Sequence, residues 1–218
     1  MTDDAVADLA PTGTIRAAIN TGNPTLAHQS PDGSLGGRSV EMARAIAARL
    51  GRPLELLRYG SAGAVVEAAG TRAWDLAFLA VDPTRAQTLH FSPPYMVIEA
   101  TYAVPLDSSI GSPGDVDRTG VRIASSKGAA YHLHLQRILK HARLFACETP
   151  PESFALLADG RADCAAGVRA ALDRFFAGRP GFRILAENLV TVEQAVVTHR
   201  GRIAGAEFLD RFVAELDA

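Results

Sequence analysis

Apolar and polar positions follow two rhythms along this chain. Thr14–Ile19, Leu54–Tyr59 and Leu76–Val81 are short strand-like runs, and the third, Leu-Ala-Phe-Leu-Ala-Val, is apolar throughout, as a strand is when both faces are covered. Between them Val40, Ala43, Ile46, Ala47 and Leu50 recur at helical spacing, with Ser39 placed to cap the start and Gly51 the end; Ala64–Ala73 predicts a second helix. This βαβαβ order implies a parallel sheet with right-handed crossovers. The plan then repeats. Val121–Ala124 is a strand, and Ala129–Ala142 a helix with Leu133, Ile138 and Leu139 on its apolar side. Glu152–Ala158 is a helix stopped by Asp159-Gly160, and Asp163–Ala166 a short strand. Ile98–Val104 and Leu189–Val197 read as hinge strands, and Phe208, Leu209, Phe212, Val213 and Leu216 as the apolar side of a final helix. The expected fold class is α/β in two lobes, each a mostly parallel sheet flanked by helices: residues 1–101 plus 194–218 form lobe 1 and residues 102–193 lobe 2.

In open α/β sheets ligands sit outside the carboxyl ends of the strands, and two lobes would face each other with two such sets of loops. The loops in question are Asn20–Asn23, Tyr59–Ser61, Ala80–Arg85, Ser125–Gly128 and Gly167–Arg169. They share donors rather than acceptors: the amides of Asn20 and Asn23, the hydroxyls of Ser125 and Ser126, and the cations Arg85, Lys127 and Arg169. Arg85 follows the apolar run at once, where a guanidinium can meet a carboxylate with two parallel hydrogen bonds. Backbone groups at Ala80 and Gly128 complete the expected contacts, and the loop at Gly128 precedes a helix whose first N–H groups favour an anion. Tyr59 and Phe78 read as cleft walls or as plain core; Glu99 and Glu193 on the hinge strands read as ligand contacts or as salt-bridge partners. An acidic ligand fits this inventory.

Composition narrows the classes. A chain of 218 residues, 48 % hydrophobic, with formal net charge −2, can bury a sizeable core and has no basic field for nucleic acid or anionic membrane. No run reaches the ~20 apolar residues of a membrane span. Three aspartates among the first eight residues, with no basic or apolar leader region, predict a cytoplasmic protein, or a periplasmic one whose signal has been removed. Cys147 and Cys164 lie in strand-like stretches and are expected as buried free thiols. Tyr131, His132 and His134 show no metal-ligand spacing and are expected on the surface, and neither metal nor other cofactor is called for.

Taken in order and spacing, Gly13-Thr-Ile-Arg, Pro31-Asp-Gly, Trp74-Asp-Leu, Phe91-Ser-Pro-Pro-Tyr and Gly160-Arg-Ala-Asp resemble the periplasmic solute-binding proteins of ABC importers, in the group that binds amino acids. The resemblance implies a periplasmic-binding-protein-like fold, a monomer, closure of the lobes on a small ligand and an ABC permease as partner. It implies that Arg85 grips a ligand carboxylate. It also implies acidic or hydroxyl partners for an α-ammonium at three positions that here hold Val168, Ala80 and Asn20. Burying an ammonium without acceptors would cost several kcal/mol, so the expected ligand is a carboxylate lacking a free α-amino group, such as a keto or hydroxy acid or an N-modified amino acid, unless Glu99 or Glu193 supplies the acceptor. Cyclohexadienyl dehydratases share this fold, but their acid would fall near Ala171, and no Gly-x-Ser-x-Gly, His-Glu-x-x-His or phosphate-loop pattern occurs. Binding is therefore expected ahead of catalysis. A dehydratase- or lyase-like enzyme, an amino-acid receptor and a cytoplasmic sensor module remain the alternatives.

Overall fold

The computed structural model describes residues 2–216. In chain order the elements are α1 (Thr2–Leu9), β1 (Ile15–Asn20), β2 (His28–Gln29), β3 (Leu35–Gly36), α2 (Arg38–Leu50), β4 (Leu54–Tyr59), α3 (Ala62–Ala69), β5 (Leu76–Ala80), β6 (Leu89–Phe91) and β7 (Met96–Pro105). There follow β8 (Arg122–Ser126), α4 (Ala130–Ile138), β9 (Arg143–Cys147), α5 (Pro150–Ala158), β10 (Cys164–Val168), α6 (Arg169–Phe176), β11 (Phe182–Ile184), β12 (Val190–His199) and α7 (Ile203–Ala214). The chain divides into two compact units, one comprising residues up to Val97 and from Glu193 onward, the other Ile98–Val192.

In the first unit β1 lies between β4 and β5, parallel to both; β12 runs antiparallel to β5, and β6 antiparallel to β12. Strand alternation sorts its side chains into two layers. Ile15, Ala17, Ile19, Leu76, Phe78 and Val196 pack under α1, α2 and α7, whereas Ala18, Ala77, Leu79 and Val197 pack with Val65 of α3, Trp74 and Leu89. With helices on both faces, every residue of β5 is buried, which is why its sequence shows no alternation. The second unit repeats the design: β8 is parallel to β9 and β10, with β7 antiparallel to β10. Tyr102, Ile123 and Cys164 face one layer, Ala103, Ala124 and Ala165 the other.

Both units also repeat one polar device. In the first, the Arg16 backbone N–H and Nε donate to Asp75 Oδ2 at 3.0 and 2.9 Å, and its Nη2 donates to Oδ1 at 2.9 Å. In the second, the Arg122 backbone N–H, Nε and Nη2 engage Asp163 in the same pattern at 2.8, 3.1 and 2.8 Å. Each bidentate pair ties the start of a central strand to the residue that opens its parallel neighbour. The two differ in burial: the Asp75 side chain is 0 % exposed and accepts a further bond from Arg202, whereas Asp163 is 37 % exposed. Burial pushes the Asp75 carboxyl up, but Arg16 and Arg202 outweigh it and hold the group below the usual carboxylate range.

Three helices end in the same Schellman turn, in which a left-handed residue lets its own N–H and that of the next residue close on the last carbonyls. After α2 and α5 that residue is glycine, Gly51 (φ 61°) and Gly160 (φ 70°). After α3 it is Arg72 (φ 52°), the one non-glycine with positive φ among the described residues, with its N–H bonded to the Ala69 carbonyl and that of Ala73 to Ala68. A side chain in that conformation costs roughly 1 kcal/mol relative to glycine.

Some expectations are corrected. Helix α2 begins after Gly37 and not under a Ser39 cap. Helix α4 buries Tyr131, His132 and Leu135, while Ile138 is 45 % exposed. His132 is therefore interior, its Nδ1 3.3 Å from Ser125 Oγ, because aromatic and imidazole rings bury well when a polar tip finds a partner. Cys147 and Cys164 are buried free thiols, and burial raises the pKa of both.

Candidate functional site

In the first unit the carboxyl ends of three parallel strands bring together Asn20, Tyr59 and Ala80. Asn20 and Tyr59 are register partners at the ends of β1 and β4, and Ala80 closes β5 opposite Gln194 of β12. Asp82, just past β5, builds the turn that follows: its Oδ1 accepts the N–H groups of Thr84 and Arg85 at 2.9 and 3.3 Å. That turn folds Arg85 back so that Nη1 donates to the Ala80 carbonyl at 2.8 Å. Arg85 is 4 % exposed, the only lysine or arginine buried to that degree among the described residues. Burial pulls its pKa down to about 10, with the Asp82 charge acting in the opposite direction.

The two asparagines are oriented by the backbone. Asn20 Oδ1 accepts the Gly22 N–H at 3.0 Å, and Asn23 Oδ1 accepts the Thr25 N–H at 3.2 Å; both residues are 8 % exposed. A backbone N–H can only donate, so the oxygens are assigned, and each side chain has its NH₂ left to offer. Tyr59 is half-buried, and desolvation raises its hydroxyl pKa. Glu193 has an exposed side chain, and its carbonyl accepts the Val81 N–H at 2.8 Å. One position along β12 the alternation turns Gln194 inward, 3 % exposed beside Ala80. Sequence reading passed over Gln194; its signal is a polar residue in phase with Val190 and Val192, at the start of a run buried on both faces.

In the second unit Lys127 is exposed, its N–H bonded to the Cys147 carbonyl at 2.8 Å, and Gly128 takes a left-handed conformation (φ 71°) just before α4. Ser125 and Ser126 end β8 fully buried. Arg169 and Glu99 meet each other: Arg169 Nε donates to Glu99 Oε2 at 3.1 Å, while Nη1 and Nη2 donate to the carbonyls of Leu185 and Ala186 and to Asn188 Oδ1 at 3.0, 2.9 and 2.7 Å. That guanidinium clasps the 185–188 segment to the start of α6. Val168 ends β10 with no carboxylate, packed among Phe176 and Leu172 on one side and the Ala166 layer on the other. Among the described residues no group of three His, Cys, Asp or Glu side chains could hold a metal ion, and no helix is long and apolar enough to cross a membrane.

Comparison with known proteins bears on the fold and the family. A search of curated proteins by sequence finds no match. Among solved structures, holo ArgBP from T. maritima is similar over 96 % of this chain and 92 % of its own, with 20 % identity and a TM-score of 0.84. The amino acid ABC transporter substrate-binding protein AbpA from Streptococcus pneumoniae, bound to L-arginine, is similar over 96 % and 91 % (21 % identity, TM-score 0.82). The ancestral amino acid-binding protein AncCDT-1, a precursor of cyclohexadienyl dehydratase, is similar over 97 % and 92 % (19 % identity, TM-score 0.81). At these identities the likeness establishes the α/β fold. The family profile of the bacterial extracellular solute-binding proteins, family 3, matches residues 15–217, nearly the whole chain, and the protein belongs to that family.

Proposed function

We propose that this solute-binding protein takes a small carboxylate without a free α-amino group, with Arg85 as the clamp and the NH₂ groups of Asn20 and Asn23 as further donors. The observation that carries the reading is the donor bias of the first unit: both asparagine oxygens are committed to backbone N–H groups, and a guanidinium is held in low dielectric beside them. An ammonium, by contrast, has little to meet. Ala80 offers a carbonyl already used by Arg85, and Val168 offers no acceptor side chain. Lys127 and the backbone at Gly128 are the second unit's contributions, Tyr59 and Gln194 shape the first unit's side, and Arg169 with Glu99 serves the architecture of the second unit. Ligand-driven closure of the two units belongs to the same reading, since a ligand that prefers one conformation shifts the population toward it. An ABC permease outside the cytoplasm is the partner this family membership favours.

An amino-acid receptor is the second reading, favoured by relatives of this fold that carry arginine or, in the Wolinella succinogenes binding component, lysine. A thermal-shift screen of the purified protein against keto, hydroxy and N-acyl acids and against free amino acids separates the two. A ligand at 100 times its Kd adds about 2.7 kcal/mol to stability. Stabilisation by the acids supports the proposal; stabilisation by free amino acids alone refutes it.

A further inference from the structure

A second cationic cluster occupies the opposite end of the first unit's sheet. Asp75 opens β5 and Arg85 follows its close, while His199 ends β12, which runs antiparallel to β5 with Thr198 opposite Leu76. A cavity of about 270 Å³ there is lined by Arg72, His199, Arg200, Arg202 and Asp8, with Pro11 at its edge. Asp8 is engaged, its Oδ2 accepting the Gly205 N–H of α7 at 3.0 Å. Arg202 shares Asp75 with Arg16, so that carboxylate is already balanced. Among the described residues no carboxylate forms an ion pair with Arg72 or Arg200.

We propose that this cavity binds a phosphate-type oxyanion, held by Arg72, Arg200 and Arg202 over the His199 ring. Two features beyond the charge count support a built site. Arg72 stands at the left-handed position of the α3 turn, where the equivalent turns after α2 and α5 use glycine, so a guanidinium stands there against the local backbone preference. His199 is fixed in place, stacked on Trp74 with ring centroids 4.5 Å apart and with Nε2 2.9 Å from the Trp74 carbonyl. Burial holds its imidazole below the ordinary range, and the charges of Arg202 and Arg72 act in the same direction against the bond to the Trp74 carbonyl.

Trp74 is the chain's single tryptophan, so its emission reports on the His199 ring that lines this cavity. The test titrates inorganic phosphate into the intact protein against potassium chloride at matched ionic strength, reading Trp74 fluorescence and the melting temperature. Flotation on phosphatidylcholine vesicles with and without phosphatidic acid runs in parallel. Saturable, phosphate-specific changes place a free oxyanion in the cavity; Arg72-dependent flotation with phosphatidic acid places the same phosphate group in a lipid. Arg72→Gly should melt at or above the wild-type temperature without phosphate and lose at least tenfold in affinity. Arg200→Ala, an exposed substitution, should show the same loss without a change in folding. Equal responses to chloride and phosphate, or unchanged affinity in both variants, would overturn the proposal.

Discussion

Replacing Arg85 by alanine separates a clamp from a structural cation. The fall of its pKa from the ordinary arginine value to about 10 corresponds to roughly 3 kcal/mol against the charged form, at about 1.36 kcal/mol per tenfold change. Removing the guanidinium relieves that cost, and it forfeits the bond to the Ala80 carbonyl, a loss of about 1–3 kcal/mol when the acceptor stays buried. Relief of burial opposes the loss of this bond and of the Asp82 attraction, so Arg85→Ala should stay folded, with a stability change smaller than its change in binding. Binding should behave differently. Truncating one partner of a desolvated charge pair costs about 2–5 kcal/mol, a fall in affinity of roughly 30- to 5,000-fold. Arg85→Lys keeps the charge without the fork and should fall between the two. Calorimetric titration with any ligand from the screen, alongside urea denaturation of each variant, gives both numbers. Arg85→Ala binding within about threefold of wild type would refute the clamp.

The two arginine–aspartate pairs make a matched experiment. Asp75→Asn, at the fully buried pair, should cost about 3 kcal/mol in urea denaturation. Asp163→Asn, at the half-exposed one, should cost about 1 kcal/mol or less; equal losses would contradict the role given to burial. The depressed carboxyl of Asp75 contributes stability that is present above the unfolded value near ~3.9 and lost as pH falls through its lower folded value, so wild-type stability should drop below about pH 4 and Asp75→Asn should flatten that limb. Arg169→Ala should lower the melting temperature while shifting ligand affinity less than tenfold, as expected of a clasp on the 185–188 segment and not a ligand contact.

Much of the α/β plan was legible because strands buried on both faces announce themselves: Leu76–Ala80 is apolar without interruption, and Arg38–Leu50 carries a regular helical stripe ending in Gly51. Helix α1 was not. Its eight residues include Asp3, Asp4 and Asp8, and its buried side rests on Ala5 and Leu9 against the first unit's core, a contact that becomes favourable only once α7 is in place. The face of α4 was misread because Tyr131 and His132 score as polar while their rings bury. Around Arg85 the contacts are local, a carbonyl five residues back and an aspartate three back, so its loop could be singled out from the sequence although its burial could not. The contacts of Arg169 were not legible, because Glu99 lies 70 residues back and the other acceptors 16 to 19 residues ahead, two of them backbone carbonyls that carry no residue signature. Gln194 needed the strand's parity, which one residue decides.

The central claim is that the site is built for a carboxylate and has no place for an ammonium. Its most direct test is calorimetric titration of the wild-type protein with one matched pair, the best-binding 2-oxo or 2-hydroxy acid and the amino acid of the same carbon skeleton. The amino acid should bind at least ~30-fold more weakly, the consequence of about 2 kcal/mol for an ammonium left without acceptors. Equal or tighter binding of the amino acid would contradict it.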